Sequence, residues 1–265
     1  MHNFAYHRPG SVADAVKALG SASDGKLIAG GQTLLPTLRQ RLAEPSDLID
    51  LGAIGELKGI KAEGDGITIG ATTTHAEVAA SAEVKKTIPA LAALAAGIGD
   101  RQVRHRGTIG GSLANNDPAA DYPAAVLGLG ATIVTSSRRI AADDYFKGLF
   151  ETALEAGELI TSVSFPIPQK AAYMKFTNPA SRYALVGVFV ARTASGVRVA
   201  VTGAGENGVF RASTMEAALS ANFSPSALDG VSIPASGLNS DLHADADYRA
   251  HLIGVMAKRA VAAAG

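Results

Sequence analysis

Two glycine-rich segments carry the clearest chemical signal in this 265-residue chain, Ala29-Gly30-Gly31-Gln32-Thr33 and Thr108-Ile109-Gly110-Gly111-Ser112. Each stands where an ordered element is expected to give way to a turn. A dinucleotide diphosphate is held by backbone N–H groups aimed at it from close range, and glycine permits both the approach and the positive φ angles required. Hydroxyls of Thr33, Thr108 and Ser112 would add donors. Taken singly, each segment also suits an ordinary tight turn. The pair suits a pyrophosphate.

Other chemistry-bearing groupings are weaker. Gly203-Ala204-Gly205-Glu206-Asn207-Gly208 has the spacing of a nicotinamide-dinucleotide turn, with Asp229 as the distant acid. The strand before it reads as half of a hairpin, Phe210-Arg211-Ala212 does not begin a helix, and no βαβ alternation surrounds it, so we read a glycine-rich turn. Gly128-Leu129-Gly130 has a helix before it and a strand after it, the reverse of a phosphate loop. Arg101, Arg104, His105 and Arg106 form a basic cluster suited to a solvated turn or to the polar rim of a partner contact. Asp241, His243, Asp245 and Asp247 lack both the glycine of a calcium loop and a zinc spacing, so no metal site is expected. No serine–histidine–aspartate order or carboxylate pair supports hydrolysis.

Composition narrows the classes further. Lys plus Arg and Asp plus Glu stand at 24 each, so no net field draws the chain to nucleic acid or an anionic membrane. The absence of cysteine excludes disulfides, cysteinyl-flavin links and thiolate-held iron–sulfur clusters, so any cluster belongs to another chain. No basic segment followed by an apolar run opens the sequence, and no stretch reaches about eighteen apolar residues, which predicts a cytoplasmic protein without membrane insertion.

The elements that must position these residues follow from periodicity. Ser11 to Leu19 predicts a short helix, Leu27 to Ala29 a strand, Leu34, Leu35, Leu38 and Leu42 a helical face, and Leu48 to Leu51 a second strand. Ile67 to Gly70 alternates as a strand, and Thr74-His75-Ala76-Glu77 has the capping-box pattern. A helix is predicted from Pro89 to Gly97, a loop from Gly107 to Pro118, a helix near Tyr122 to Gly128, and strands at Ala131–Thr135 and Leu159–Phe165. Leu185–Thr193 and Arg198–Thr202 read as a hairpin, and Tyr248 to Ala262 as a terminal amphipathic helix. A domain boundary is placed near residue 168, where Pro166 and Pro168 punctuate the chain.

The wording of these segments resembles the medium, FAD-binding subunit of the carbon monoxide dehydrogenase and xanthine dehydrogenase family over nearly the whole chain. The matching words are Phe4-Ala5-Tyr6-His7-Arg8-Pro9, Ala29 to Pro36 including Leu34, Ile69-Gly70-Ala71-Thr72-Thr73, and Gly107 to Ser112 running into Ala114-Asn115 and Asp117-Pro118. The resemblance implies an α+β architecture, the PCMH-type FAD-binding fold. Two α/β subdomains, about 1–53 and 54–168, would enclose non-covalent FAD, and a C-terminal domain of antiparallel strands and helices would occupy 169–265.

Four further residues take roles from the resemblance. Asp121 matches an acid close to the nucleotide end of FAD, although its type and position also suit a helix cap. Lys175 matches a lysine near the isoalloxazine, with a solvated strand lysine as the other reading. Tyr183 matches an aromatic presented to the flavin ring, preceded here by Arg182 where the family usually carries aspartate. Ile160 aligns with an apolar residue beside the flavin and equally suits plain core.

The implied function is an electron-transfer subunit of a molybdenum hydroxylase with no catalytic side chain of its own. It would work with a small subunit holding two [2Fe–2S] clusters and a large molybdopterin subunit, as a dimer of heterotrimers. The rivals are a free-standing PCMH-type flavin oxidase or dehydrogenase and a nicotinamide-binding or scaffolding subunit.

Overall fold

The protein is described for residues 1–265 by a computed structural model. Its first unit is a small parallel sheet in which Asp47–Asp50 lies between Ala5–His7 and Gly25–Ile28. The helix Val12–Ser21 covers it, starting where Ser11 Oγ accepts from the Asp14 backbone N–H at 3.1 Å. Ala15, Ile49, Leu51, Ile54 and Leu57 close this small core.

The second unit is a five-stranded antiparallel sheet in the order Ile60–Glu63, Gly66–Gly70, Ile160–Pro166, Thr132–Thr135, Arg139–Ala141. Its helices are short and apolar. Helix Tyr122–Leu129 is buried at every residue, as expected of a helix apolar on all sides, and ends at Gly130 in the left-handed conformation. The capping box forms as read, with Thr74 Oγ1 accepting from the Glu77 N–H and Glu77 accepting from the Thr74 N–H. Helix Leu34–Arg39 stops short of Leu42, which lies 73% exposed rather than on a buried face.

The third unit is an antiparallel sheet ordered Lys170–Thr177, Ala184–Thr193, Gly196–Thr202, Phe210–Arg211. Strand Ala184–Thr193 is nearly continuously apolar because both its faces are covered. Val186, Val188 and Val190 share a core with Ile253, Met256 and Ala257 of the terminal helix Ala246–Ala264. Phe189 and Ala191 point the other way, into the core that contains Tyr122 and Val126. The predicted hairpin is present, and the turn at Gly203–Gly208 leads to the short strand Phe210–Arg211 rather than to a helix.

One contact joins the first two units without tolerance. A Cβ built on Gly30 would stand 2.2 Å from the Arg106 carbonyl oxygen and 2.7 Å from Gly107 Cα. Gly30→Ala is therefore expected to destabilise the protein by about 1–3 kcal/mol, the usual range for overpacking. Thermal unfolding followed by circular dichroism checks this, with Gly10→Ala as control, because a Cβ at Gly10 meets nothing within 4 Å.

Candidate functional site

The strand Gly25–Ile28 runs into the first glycine segment, where Gly31 takes φ 73° and the chain turns into helix Leu34–Arg39. The N–H groups of Gly30, Gly31, Gln32, Thr33 and Leu34 have no acceptor anywhere in the protein, and Thr33 gives no side-chain cap. Five consecutive unpartnered donors on a partly exposed turn form an anion cradle.

The second segment is built differently from the expectation. The stretch Gly107 to Pro118 contains the helix Ile109–Asn115, closed by Asn116 at φ 43°. Its N–H groups are engaged inside the protein: Ile109 donates to Thr73 O at 3.2 Å, Gly110 to Ala71 O at 2.8 Å and Ser112 to Thr108 O at 3.0 Å. Thr108 Oγ1 accepts from the Gly111 N–H at 3.1 Å as the N-cap. Gly110 is needed for close packing, since a Cβ there would lie 2.6 Å from Ala71 Cβ. The first segment keeps five consecutive N–H donors free, whereas in the second only the Thr108 N–H lacks an acceptor, and that segment supplies a tight wall.

A cavity of about 770 Å³ lies between them, within the usual range for ligand pockets. Ala29, Gly30, Gly31, Gln32, Thr33, Leu34, Thr108, Gly110, Gly111, Ser112, Asp121, Ile160 and Tyr183 all line it. Ile109 and Lys175 do not. Ile109 is fully buried in the central core. Lys175 stands behind the wall, with its Nζ 3.0 Å from Asp121 Oδ1 and donating to Gly97 O at 3.0 Å. Tyr173 OH also donates to Asp121, at 2.6 Å, through the space left by the missing side chain of Gly187.

This cluster revises the separate placements expected for Asp121 and Lys175. An ion pair at 3.0 Å cannot have one member at the nucleotide end of an extended FAD and the other at the isoalloxazine. Burial raises the Asp121 carboxyl above its usual range, against the opposing pull of Lys175 and the Tyr173 hydrogen bond. Tyr183 belongs to the same region, its phenol raised by burial and then by the charges of Asp117 and Asp121. Arg182 presents it from a turn at φ 64°, braced by Asn178 Oδ1, which accepts from the Ala180 and Ser181 N–H groups. A left-handed arginine is unusual, because a long L side chain rarely adopts that conformation.

Several cavity residues gave no functional signal in the sequence. His75 was legible only as a helix start, yet it is 5% exposed and lines the cavity. Burial, then the charge of Arg104, lowers its imidazole to about 4. Phe150 sits at the rim, half exposed at φ 56°. In the basic cluster, Arg104 is half-buried and donates to Ile98 O at 2.8 Å and Gly99 O at 3.0 Å, while Arg101, His105 and Arg106 are exposed. Asp241 pairs with Arg249 at 2.8 Å, and no group of side chains in the chain is arranged to hold a metal ion. No helix is long and apolar enough to cross a membrane.

A parallel α/β unit and an antiparallel sheet that meet over a donor-lined cavity, beside a third sheet-and-helix unit, define a dinucleotide-binding flavoprotein. Residues 2–168 match the family described as "FAD binding domain in molybdopterin dehydrogenase", and the chain belongs to that family, with FAD as its cofactor. It is 36% identical to the carbon monoxide dehydrogenase medium chain of Hydrogenophaga pseudoflava, over 98% of this chain and 96% of that one. It is 37% identical to the nicotine 6-hydroxylase medium subunit of Paenarthrobacter nicotinovorans, with the same coverage. Among solved structures, a Cu,Mo-CO dehydrogenase chain superposes with a TM-score of 0.90 at 35% identity, covering 100% of this chain and 98% of that one. Quinoline 2-oxidoreductase from Pseudomonas putida 86 gives 0.89 at 31% identity, covering 99% of this chain and 96% of that one. The chain is thus an oxidoreductase flavoprotein subunit.

Two outcomes follow from the buried groups. Lys175→Met is expected to cost about 3–5 kcal/mol in urea unfolding by leaving Asp121 buried without its cation, and adding Asp121→Asn should recover most of the loss. For His75, the folded pKa of about 4 lies below the unfolded value of about 6.5, so between them the unfolded chain binds more protons. Its contribution is complete above the upper value and is lost as pH falls toward the lower one. His75→Phe should therefore lose stability less steeply than the wild type on acidification from about pH 7 to about pH 5, read by urea midpoints.

Proposed function

We propose that this chain is the electron-relaying medium subunit of a molybdenum hydroxylase, holding FAD non-covalently between two subdomains, about 1–53 and 54–168, with 169–265 as a separate C-terminal domain. The observation that carries the reading is the run of free N–H groups from Gly30 to Leu34 on a cavity wall, which suits a diphosphate with no competing ligand in the protein. Bound FAD would take electrons singly from [2Fe–2S] clusters of a small partner subunit and deliver them in pairs to a terminal acceptor.

The residues divide the work. Ala29 to Leu34 hold the diphosphate, and Thr108 to Ser112 form the opposing wall, with Ile109 setting that helix from beneath. Ile160 gives apolar contact. Tyr183 faces the isoalloxazine and restricts water. Asp121 lies beside the same half of the cofactor, and Lys175 acts through it by fixing its carboxylate and supplying a nearby positive charge. No side chain is assigned as general acid or base.

With no cysteine to ligate an iron–sulfur cluster, a cluster that feeds electrons to the flavin would belong to another chain, which supports a divided assembly. We assign the donor to a small two-cluster subunit and the substrate-oxidising centre to a large molybdopterin subunit, in a cytoplasmic dimer of heterotrimers. The names of the relatives, medium chains of dehydrogenases and hydroxylases, support that division.

Purified wild-type chain should carry one FAD, released intact on denaturation. Gly31→Val should lower occupancy at least tenfold, roughly the worth of one well-made hydrogen bond, because the left-handed turn and the donor run would both be disturbed. Full occupancy in this variant would remove the diphosphate assignment. Co-expression with the two partner subunits should yield a complex containing molybdenum, iron and flavin. Rapid reduction of the flavin in the isolated chain by an organic substrate would replace this reading with a free-standing flavoenzyme.

A further inference from the structure

The His75 imidazole is a rigidly held polar ring with nothing in the protein to bond. Its backbone N–H donates to Gly107 O at 2.9 Å, and a Cβ on Gly107 would stand 2.5 Å from Nε2, so ring and loop are in tight contact. The other face meets Tyr122, with ring centroids 5.3 Å apart and planes at 50°. Nδ1 is fully enclosed and has no hydrogen-bond partner, and neither does the Tyr122 hydroxyl. Buried polar groups are almost always satisfied, and a persistent exception calls for a ligand or a water.

The two nitrogens are not equivalent. A neutral imidazole carries one N–H, and an enclosed N–H without an acceptor costs more than an idle lone pair. The proton is therefore favoured on Nε2, on the side of Gly107, which is itself part of the cavity wall. His75 lines the same cavity as Asp121 and Tyr183, and its ring rests on Tyr122, the residue that follows Asp121.

We propose that His75 is a cofactor-binding residue, whose Nε2–H donates a hydrogen bond to an acceptor on the flavin half of FAD, a ring carbonyl, a ring nitrogen or a ribityl oxygen. This rests on the assignment of the cavity to FAD. The ring is positioned before the cofactor arrives, so little ordering opposes the bond. As an uncharged donor, it orients the flavin without adding a full charge beside it.

The test is FAD titration of the full-length chain, read by flavin fluorescence and visible absorption. His75→Phe keeps the aromatic packing on Tyr122 and removes both nitrogens. It should raise the FAD dissociation constant ~10-fold and shift the flavin absorption bands, whereas His75→Gln, which retains an N–H donor, should recover part of both. In wild-type chain with ¹⁵N-labelled histidine, FAD should move the His75 ring-nitrogen resonances, a measurement that holds even where His75→Phe fails to fold. Wild-type affinity and spectrum in His75→Phe, or unmoved resonances, would overturn the proposal. A raised dissociation constant with an unchanged flavin spectrum would place the contact on the adenosine half and overturn it as well. Failure of the wild-type chain itself to bind FAD would instead bring down the cavity assignment.

Discussion

At Gly30 the backbone of the first unit comes to rest directly on the peptide joining Arg106 and Gly107, closer than any side chain would allow. Everything that forms the cavity depends on this approach. The parallel sheet delivers Gly30 and Gly31 at the end of strand Gly25–Ile28, and the antiparallel unit delivers residues 106–112 at the start of helix Ile109–Asn115. Gly107 in turn makes room for His75, and Gly110 for Ala71. A chain of bare backbone positions thus sets one unit against the next, and their order in space is a packing requirement as much as a ligand requirement. The cost of that tightness is offset by what it leaves free, five N–H groups on a turn that no other part of the protein reaches.

A second dependence runs through helix Tyr122–Leu129. Apolar on all sides, it lies between the antiparallel sheet and the C-terminal sheet and carries Asp121 at its leading end. The carboxylate would be strongly disfavoured there by itself. Lys175 and Tyr173, both on the strand Lys170–Thr177, satisfy it from the third unit. This strand of the C-terminal sheet therefore braces the polar part of the cavity wall from behind, through Asp121, as well as extending the core. A separate ion-paired carboxylate, Glu158, is held down to about 2, chiefly by Arg138, and ties another stretch of the wall to the hairpin at Thr135–Arg138.

Flavin chemistry on such a scaffold asks little of side-chain acids and bases. Binding, orientation and limited access of water are what the protein must supply. Tyr183 is the residue best placed for access: it is half exposed, lies on the cavity, and is presented by a turn whose strained residue is Arg182. A long charged side chain at φ 64° makes this turn a strained support for the tyrosine beside it.

Much of the architecture was legible because it is local. Helix caps at Ser11 and Thr74, the apolar helix after Pro89, the hairpin around residues 194–196 and the terminal helix are each determined by residues within one or two turns of one another. The two glycine segments were legible as a pair, since glycine in such words reports backbone freedom directly. What the two segments do with that freedom was not. Free donors in one and internally bonded donors in the other depend on Ala71 and Thr73, which are distant in sequence from Gly110 and Ile109. The helix Ile109–Asn115 was missed for a related reason: two glycines within it argue for a loop, and the contact with Ala71 outweighs their low helix propensity. The pairing of Asp121 with Lys175, 54 residues apart, and the burial of His75 against Tyr122 were likewise decided only by tertiary structure. A side chain's type and neighbours in sequence specify which bonds it is able to make; whether a partner stands within reach, and whether water has been removed, is settled only when separate units close on one another.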